Sequence, residues 1–323
     1  MTTILTIDIG GTKTEAVLWQ SSCCQPQKLA ALRFTTDYQN EAGLLKKISA
    51  LPRPDTEAVV LAIAGKTNNE SGDLELTNNP CRLNIAKLKQ GMPENARLAV
   101  LNDLEALAYA LPVLAPSALK NLNPLAKGAP NPAYYPQIAA ACGTGLGVAL
   151  RLPGGRVLPS EAGHCRFAPQ NKEQADACRQ IAVLYQKKEG AFALSNEDIL
   201  SGRGLAALYA ALSGLNTPPS PGEVCQRLAA KEENAKHTLR LFSNMLGAVL
   251  GNLALCCLAG GIFLGGGVCQ HLAPWLNGED IMAGLAVPGP FAEYLSHLPL
   301  LLITEEAAGC LGAALYAEQR LLG

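Results

Sequence analysis

The chain has 323 residues, of which 49 % are hydrophobic and 16 % charged, and its formal net charge is −1. This length favours two lobes that each bury a core. The composition excludes an intrinsically disordered protein, and the near-neutral charge argues against nucleic acid as the main partner.

The cysteines indicate the redox environment of the chain. There are eleven of them, scattered without a Cys-x-x-Cys pair and including the adjacent pairs Cys23-Cys24 and Cys256-Cys257. This pattern predicts reduced, mostly buried thiols in a cytosolic protein, not a disulfide framework or a zinc site. The N-terminus has no basic region ahead of its short apolar run, so we expect no signal peptide.

The first predicted element is a strand over 4–7 that enters a glycine turn and returns as a strand over 15–19. The turn reads Asp8-Ile9-Gly10-Gly11-Thr12, and glycines between two apolar runs are typical of a strand hairpin. A carboxylate at the end of the first strand suits a hydrated Mg²⁺ beside a polyphosphate. The alternative is an aspartate that only begins a turn.

Two predicted strands and three predicted helices follow. A helix is expected over 42–51, a central parallel strand over 58–64, a short helix over 83–88 and another buried strand over 98–101. Asn102-Asp103 then precede a helical sequence that Pro112 stops. Asp103 therefore lies where α/β sheets present ligands. It is either the helix cap, which the pattern alone favours, or a general base.

A second glycine turn comes after a long excursion over 113–137. An apolar run ends in Gly143-Thr144-Gly145 and resumes over 148–150. Closely spaced glycines let backbone N–H groups approach an anion, and Thr144 adds a hydroxyl. The turn either binds phosphate or has only the structural role of a glycine-rich hairpin. Its likeness to residues 11–18 suggests two related lobes, each presenting a glycine hairpin to a shared cleft.

Three polar residues downstream are candidate ligands. Glu161 and His164 lie in one loop, and Glu197 lies just after Ser195, at a predicted helix start where a first-turn carboxylate is favoured. A solvated loop is the alternative for the first two. A purely structural carboxylate is the alternative for Glu197.

The C-terminal half is predicted to be mainly helical. Helices are expected over 173–187 and 204–212, two more within 221–258 and a small-residue helix over 306–322, with strands over 261–268 and 300–303. The turn Gly265-Gly266-Gly267 would let a flat ligand lie against bare backbone. Residues 241–277 carry no charged side chain and are long enough to cross a bilayer, but glycines and asparagines interrupt them. We predict a buried helix and strand instead of a membrane span.

Together these motifs resemble the bacterial glucokinase family of the actin-like ATPase superfamily. The resemblance runs from near residue 4 to the C-terminus. It implies an α/β, two-lobed actin-like ATPase (ribonuclease H-like) fold, with a mixed sheet flanked by helices in each lobe and a cleft between them. The implied small lobe is 1–110, completed by a C-terminal helix over 305–323, and the implied large lobe is 111–304.

The resemblance also implies an activity, namely transfer of the γ-phosphoryl group of ATP to the 6-hydroxyl of glucose, with Asp103 as general base. The implied sugar ligands are Asn78, Asn102, Asp103, Glu161, His164 and Glu197. The implied nucleotide-binding residues are Asp8, Ile9, Gly10, Gly11, Thr12, Gly143, Thr144, Gly145, Gly265 and Gly266, with Asp8 holding Mg²⁺. A cytoplasmic homodimer that binds a small sugar, and neither nucleic acid nor a membrane, is implied as well.

Four positions depart from the family pattern. Lys66 stands where the family usually has proline, Cys81 replaces an aromatic residue in the wall of the sugar pocket, and Arg166 places a cation near the sugar loop. Lys13 is closer to the repressor and kinase branch, whose cysteine-rich zinc motif is missing, so no metal beyond Mg²⁺ is expected. A sugar-responsive regulator, a kinase for another hexose or amino sugar, and a filament-forming or chaperone-like ATPase remain alternatives.

Overall fold

The computed structural model describes residues 1–10, 13–22, 25–36, 41–51, 53, 55–67, 73–76, 82–90, 92–126, 128, 133–286 and 288–322. The chain divides into two units, one formed by Met1–Leu114 with Glu305–Gly323 and the other by Ala115–Thr304. The assignment of small and large functional lobes stays a prediction.

The strands of the described residues are β1 (Thr2–Ile9), β2 (Lys13–Ser21), β3 (Gln27–Thr35), β4 (Ala58–Ile63), β5 (Gly65–Thr67), β6 (Asp73–Leu76), β7 (Arg82–Asn84), β8 (Arg97–Asn102), β9 (Leu119–Asn121), β10 (Gln137–Cys142), β11 (Leu146–Arg151), β12 (Val157–Ser160), β13 (Gly261–Gly265) and β14 (Leu300–Ile303). The helices are α1 (Glu41–Ser49), α2 (Ile85–Gln90), α3 (Asp103–Ala110), α4 (Lys172–Leu184), α5 (Asn196–Ile199), α6 (Gly202–Ser213), α7 (Pro221–Ala229), α8 (Glu233–Cys257), α9 (Gly267–Leu272), α10 (Gly278–Leu285), α11 (Ala292–Ser296) and α12 (Ala308–Tyr316).

The first unit contains a five-stranded sheet in the order β3-β2-β1-β4-β8. β1 and β2 form the predicted antiparallel hairpin, and β4 runs parallel to both β1 and β8. Every residue of β4 is buried, as its continuous apolar sequence predicts. The prediction of a buried strand over 98–101 was wrong in part, because β8 is an edge strand in which Leu101 is buried and the other residues are not.

Helix α12 completes the first unit by packing against α3 and β1. The predicted small residues of this helix allow close contact: a Cβ added at Gly312 would collide with the backbone carbonyl oxygen of Ala106. The helix ends earlier than expected, at Tyr316, and a π-helical turn continues over Ala317–Leu322. The C-terminal segment of the chain therefore belongs to the core of the first unit.

The second unit contains a six-stranded sheet in the order β12-β11-β10-β13-β14-β9. β10 pairs antiparallel with β11 and parallel with β13, so the C-terminal ends of β10 and β13 lie at the same edge. Helices α4, α6 and α8 contribute most of the helical side of its core. The sequence did not predict β9, which lies inside the expected excursion, or β12.

Helix α8 is the one helix among the described residues that is long and apolar enough to cross a membrane. In its most apolar window, 67 % is buried inside the protein, and α8 packs against α6 and α10. A core helix passes the same length and hydropathy test, so α8 is weak evidence for a membrane span. The predicted buried helix followed by a buried strand is confirmed by α8 and β13.

The prediction of mostly buried thiols holds for half of the cysteines in the described part of the chain. Four are buried, two are intermediate and two, Cys165 and Cys256, are exposed; the buried ones are Cys142, Cys178, Cys269 and Cys310. All eight are free thiols. In the described part of the chain, no group of three or more His, Cys, Asp or Glu side chains is arranged to hold a metal ion.

The contact between α12 and α3 predicts the effect of a single methyl group. Gly312→Ala should lower the free energy of unfolding by about 1–3 kcal/mol, because overpacking against a backbone carbonyl forces a shift. Gly222→Ala is the control, since the nearest atom to its added Cβ is 4.0 Å away. It should change the free energy of unfolding by less than about 1 kcal/mol. Equal effects in urea denaturation would contradict the packing argument.

Candidate functional site

Asp8 lies near the end of β1, just before a turn that is closed by a hydrogen bond from Gly10 N to Lys13 O of 3.1 Å. Glu15 stands opposite Asp8 in the β1–β2 register. The start of α12 also approaches it, because a Cβ added at Gly309 would come within 2.9 Å of Asp8 Oδ2. The carboxylate is thus partly buried among the hairpin and the helix.

The surroundings of Asp8 disfavour its negative charge. Burial raises its pKa, the charges of Asp103 and Glu15 raise it further, and Lys13 opposes them, with the result that the pKa of Asp8 is about 7. Asp8 and Asp103 therefore lie close enough for their charges to interact. Oxygen donors of this kind suit Mg²⁺, which binds proteins through one or two carboxylates and retains waters and phosphate oxygens.

Asn102, and not Asp103, is the N-cap of α3. Its Oδ1 accepts a hydrogen bond from Leu104 N at 2.9 Å, while Glu105 Oε2 accepts one from Asn102 N at 3.2 Å, which completes a capping box. The cap interpretation of Asp103 was therefore wrong. Asp103 is the first helical residue, and its Oδ1 also accepts from Leu104 N at 2.9 Å. Because Asn102 Oδ1 already accepts the capping hydrogen bond, a ligand hydroxyl would contact the Nδ2 amide of Asn102.

The two predicted glycine turns of the second unit lie beside each other. Gly143 N donates to Gly145 O at 2.8 Å, which closes the turn between β10 and β11. Gly266 has φ +90°, and a Cβ there would collide with the backbone of Cys142. A Cβ on Gly143 would lie 4.0 Å from Gly267 N. Because no side chains separate them, the two turns present adjacent backbone to a ligand.

The structure brings the three candidate polar ligands of the second unit together. His164 Nε2 lies 3.6 Å from Glu161 Oε2, and His164 Nδ1 lies 4.0 Å from Glu197 Oε1. Glu161 and His164 are exposed, whereas the Glu197 side chain is only 8 % exposed. We call these three residues the polar cluster.

The polar cluster adjoins the glycine turn at residues 143–145. Glu197 Oε2 accepts a hydrogen bond from Leu146 N at 3.4 Å. The same oxygen occupies the space that a Cβ on Gly145 would need. Leu146 and Glu197 are 51 residues apart in the sequence, and the fold brings them together at one edge of the sheet.

Hydrogen bonds to backbone carbonyls hold the two loops of the polar cluster against each other. Asn196 Nδ2 donates to Ala162 O at 2.9 Å, and Asn196 N donates to Cys165 O at 2.8 Å. The guanidinium of Arg166, the cation expected near the sugar loop, donates to Ala193 O at 2.5 Å. Arg166 therefore joins the two loops, in addition to the hydrogen bonds from Asn196.

Helix α5 begins as predicted, with a capping box between Ser195 and Asp198. Burial acts to raise the pKa of Asp198, but hydrogen bonds from Ser195 and the charges of Lys187 and Arg203 lower it overall. Arg203 was not predicted from the sequence as a site residue; its Nη2 lies 3.0 Å from Asp198 Oδ1 and 3.4 Å from Glu197 Oε1. A cation in the first turn of a helix, where it is disfavoured, is the sequence signal that could have identified it.

The remaining predicted site residues fall into three groups. Gly11, Thr12 and Asn78 lie outside the described residues, as does Cys81. The side chain of Ile9 is buried in the core, so only its backbone can face a ligand. Thr144 is exposed at its turn, and Gly265 is the buried last residue of β13.

Solved structures with a similar fold define the class. A glucokinase from an Antarctic psychrotroph matches with a TM-score of 0.77 at 24 % identity, over 99 % of both chains. A Balamuthia mandrillaris glucokinase in complex with glucose matches with a TM-score of 0.79 at 24 % identity, over 98 % of this chain and 94 % of the other. The predicted α/β fold, an actin-like ATPase fold, is confirmed by this structural similarity.

Sequence comparison identifies the family. The glucokinase family model matches residues 5–320. The glucokinase of Mesorhizobium japonicum is 32 % identical over 331 residues, and that of Chelativorans sp. is 30 % identical over 329 residues; each match covers 98 % of this chain and 91 % of the relative. The chain belongs to the glucokinase family, and the resemblance read from the motifs is confirmed.

The raised pKa of Asp8 predicts how stability depends on pH. The folded state holds a proton on Asp8 up to about pH 7, whereas the unfolded chain releases it near 3.8. The free energy of unfolding should therefore contain a contribution that is lost as the pH rises between these values. Asp8→Asn should remove that loss in urea denaturation compared at about pH 5 and about pH 8.

Asp176→Asn is the matched control for this measurement. Asp176 is on the surface, and its pKa is lowered by a hydrogen bond from Lys172. Asp176→Asn should leave unchanged the loss in the free energy of unfolding between about pH 5 and about pH 8. The same pH dependence in wild type and Asp8→Asn would show that Asp8 is not the titrating group.

Proposed function

We propose that the protein is an ATP-dependent hexose kinase that transfers the γ-phosphoryl group of ATP to the 6-hydroxyl of glucose. The observation that carries this proposal is the polar cluster of Glu161, His164 and Glu197 directly beside the Gly143–Gly145 turn. Membership of the glucokinase family supports it.

The polar cluster suits a sugar because it combines acceptors with a ring that both donates and accepts. Glu197 offers a nearly buried carboxylate, and Glu161 and His164 offer more exposed groups. Asn102, through its amide, and Asn78 are the further sugar ligands of the proposal. A substrate that leaves such buried groups unpaired can be disfavoured by about 10⁴-fold. The cluster would therefore select the hexose.

Asp103 is the proposed general base. It lies at the N-terminus of α3, beside the cap, and its charge interacts with that of Asp8. In phosphoryl transfer, the protein mainly positions the reactants and stabilises charge, with a carboxylate near the attacking hydroxyl. Asp103 would accept the proton of the sugar hydroxyl as the bond from its oxygen to the γ-phosphorus forms and the bond from that phosphorus to ADP breaks, so that ADP is the leaving group.

ATP and Mg²⁺ are the proposed cofactors. A Streptomyces griseus glucokinase of similar fold, with a TM-score of 0.65 at 21 % identity over 98 % of this chain and 99 % of the other, was solved with glucose and AMPPNP. The backbone of 8–12, 143–145 and 265–266 would bind the nucleotide, and Asp8 would hold Mg²⁺. The ion would neutralise phosphate charge. A cytoplasmic homodimer that works in glycolysis belongs to the same proposal.

Replacing Asp103 tests the proposed base. With Mg-ATP and glucose, Asp103→Asn should lower kcat by about 10²–10⁴-fold, because general-base catalysis contributes that much. The glucose KM should change far less. ADP release, measured over a panel of hexoses and amino sugars, gives both constants and the preferred substrate.

Asp280→Asn is the matched control, since Asp280 is also a first-turn aspartate of a helix, α10. Its kcat should equal that of the wild type. Wild-type turnover by Asp103→Asn would remove Asp103 as the base. Phosphorylation of another hexose or an amino sugar in preference to glucose would keep the kinase and correct its substrate.

A further inference from the structure

Arg203 connects two neighbouring carboxylates of α5. Its Nη2 lies 3.0 Å from Asp198 Oδ1 and 3.4 Å from Glu197 Oε1. Its guanidinium also lies over the ring of Tyr185, with its central carbon 5.8 Å from the ring centroid, within the range of cation–π attraction. The arginine side chain is 51 % exposed, whereas both carboxylates are below 10 % exposed.

The position of Arg203 in its own helix does not explain why a positive side chain occurs there. Ser201 is the N-cap of α6, so Arg203 is the second helical residue. A positive side chain there opposes the helix dipole, which favours anions at this end. The acidic side chains of α5 provide the compensating attraction. The interaction with α5 is therefore the structural reason for a cation here.

The two carboxylates differ in how firmly they are held. Asp198 Oδ2 accepts hydrogen bonds of 3.0 Å from both the backbone N and the Oγ of Ser195, and Lys187 Nζ lies 3.4 Å away. Tyr185 also donates to the backbone carbonyl of Asp198 at 3.2 Å. Asp198 and Tyr185 thus form a fixed support for the arginine.

Glu197 has only longer contacts. Its nitrogen neighbours are Leu146 N at 3.4 Å, Arg203 Nη2 at 3.4 Å and His164 Nδ1 at 4.0 Å. A carboxylate held at these distances can turn about its terminal bond, which has a broad torsional preference. A second support is needed to keep one oxygen aimed at a ligand.

We infer that Arg203 is a positioning residue that orients the Glu197 carboxylate and thereby sets the affinity for the sugar. The inference rests on the proposed function, in which Glu197 accepts a hydrogen bond from a sugar hydroxyl. Because the guanidinium of Arg203 contacts both carboxylates, the firmly held Asp198 fixes the position of Arg203, and Arg203 in turn restricts the orientation of the Glu197 carboxylate. The planar guanidinium can reach two carboxylates and stack on a ring at once, whereas a lysine ammonium lacks this geometry.

Steady-state kinetics with Arg203→Met test this role. The glucose KM should rise about tenfold, because a hydrogen bond to a charged group is worth about that factor, while the ATP KM and kcat stay within about threefold of the wild type. Arg203→Lys should recover part of the loss. Arg179→Met is the control: Arg179 is also an exposed arginine paired with an aspartate, Asp176, but in α4. Its glucose KM should be unchanged.

A double-mutant cycle separates positioning from a general structural effect. If Arg203 acts through Glu197, then Arg203→Met should add little to the glucose KM of Glu197→Gln. Full additivity, or a lower kcat with an unchanged KM, would overturn the inference. If Arg203→Met does not fold, Arg203→Lys in the same cycle gives the same decision.

The failure of the proposed function would look different. A wild-type protein that phosphorylates no sugar of the panel would overturn the kinase proposal, and this inference with it. An active wild type whose glucose KM is unaffected by Arg203→Met would overturn the inference alone.

Discussion

The candidate site of the second unit depends on the close approach of a carboxylate to a turn that carries no side chain. Glu197 Oε2 occupies the space that a Cβ on Gly145 would need, and Leu146 N donates to it. A residue other than glycine at 145 would displace this carboxylate from the turn. The contact therefore fixes the distance between the polar cluster and the backbone that would bind phosphate.

The same constraint recurs in the first unit. Gly309 lets the start of α12 approach Asp8, because a Cβ there would lie 2.9 Å from Asp8 Oδ2. The resulting burial is the largest cause of the raised pKa of Asp8. In both units a glycine brings backbone close to an acidic side chain, Glu197 at Gly145 and Asp8 at Gly309. In the proposed function, Asp8 would hold a cation and Glu197 would accept a hydrogen bond from a sugar hydroxyl.

Local patterns in the sequence predicted much of the fold and several features of the site. The two glycine hairpins and the start of α5 depend on neighbouring residues, and all three are present. The cap of α3 was assigned to the wrong residue because Asn102 and Asp103 are both good capping residues, and only the backbone geometry distinguishes them. Strand β3 was missed because its residues are exposed on both faces and show no alternation.

The tertiary features of the site could not be predicted in this way. Arg203 meets Glu197 and Asp198 through the packing of two helices, and Arg166 reaches a carbonyl 27 residues away. Such contacts leave no periodic signal in the sequence. The sequence motifs identified which residue types matter, and the fold determined which of them meet.

The most direct test of the sugar site is a crystal structure of the protein with bound glucose. We expect sugar hydroxyls within hydrogen-bond distance, about 2.6–3.2 Å, of Glu197 and His164, beside the turn at residues 143–145. Glucose bound away from these side chains, or a Glu197 carboxylate turned from the sugar, would contradict the proposed site.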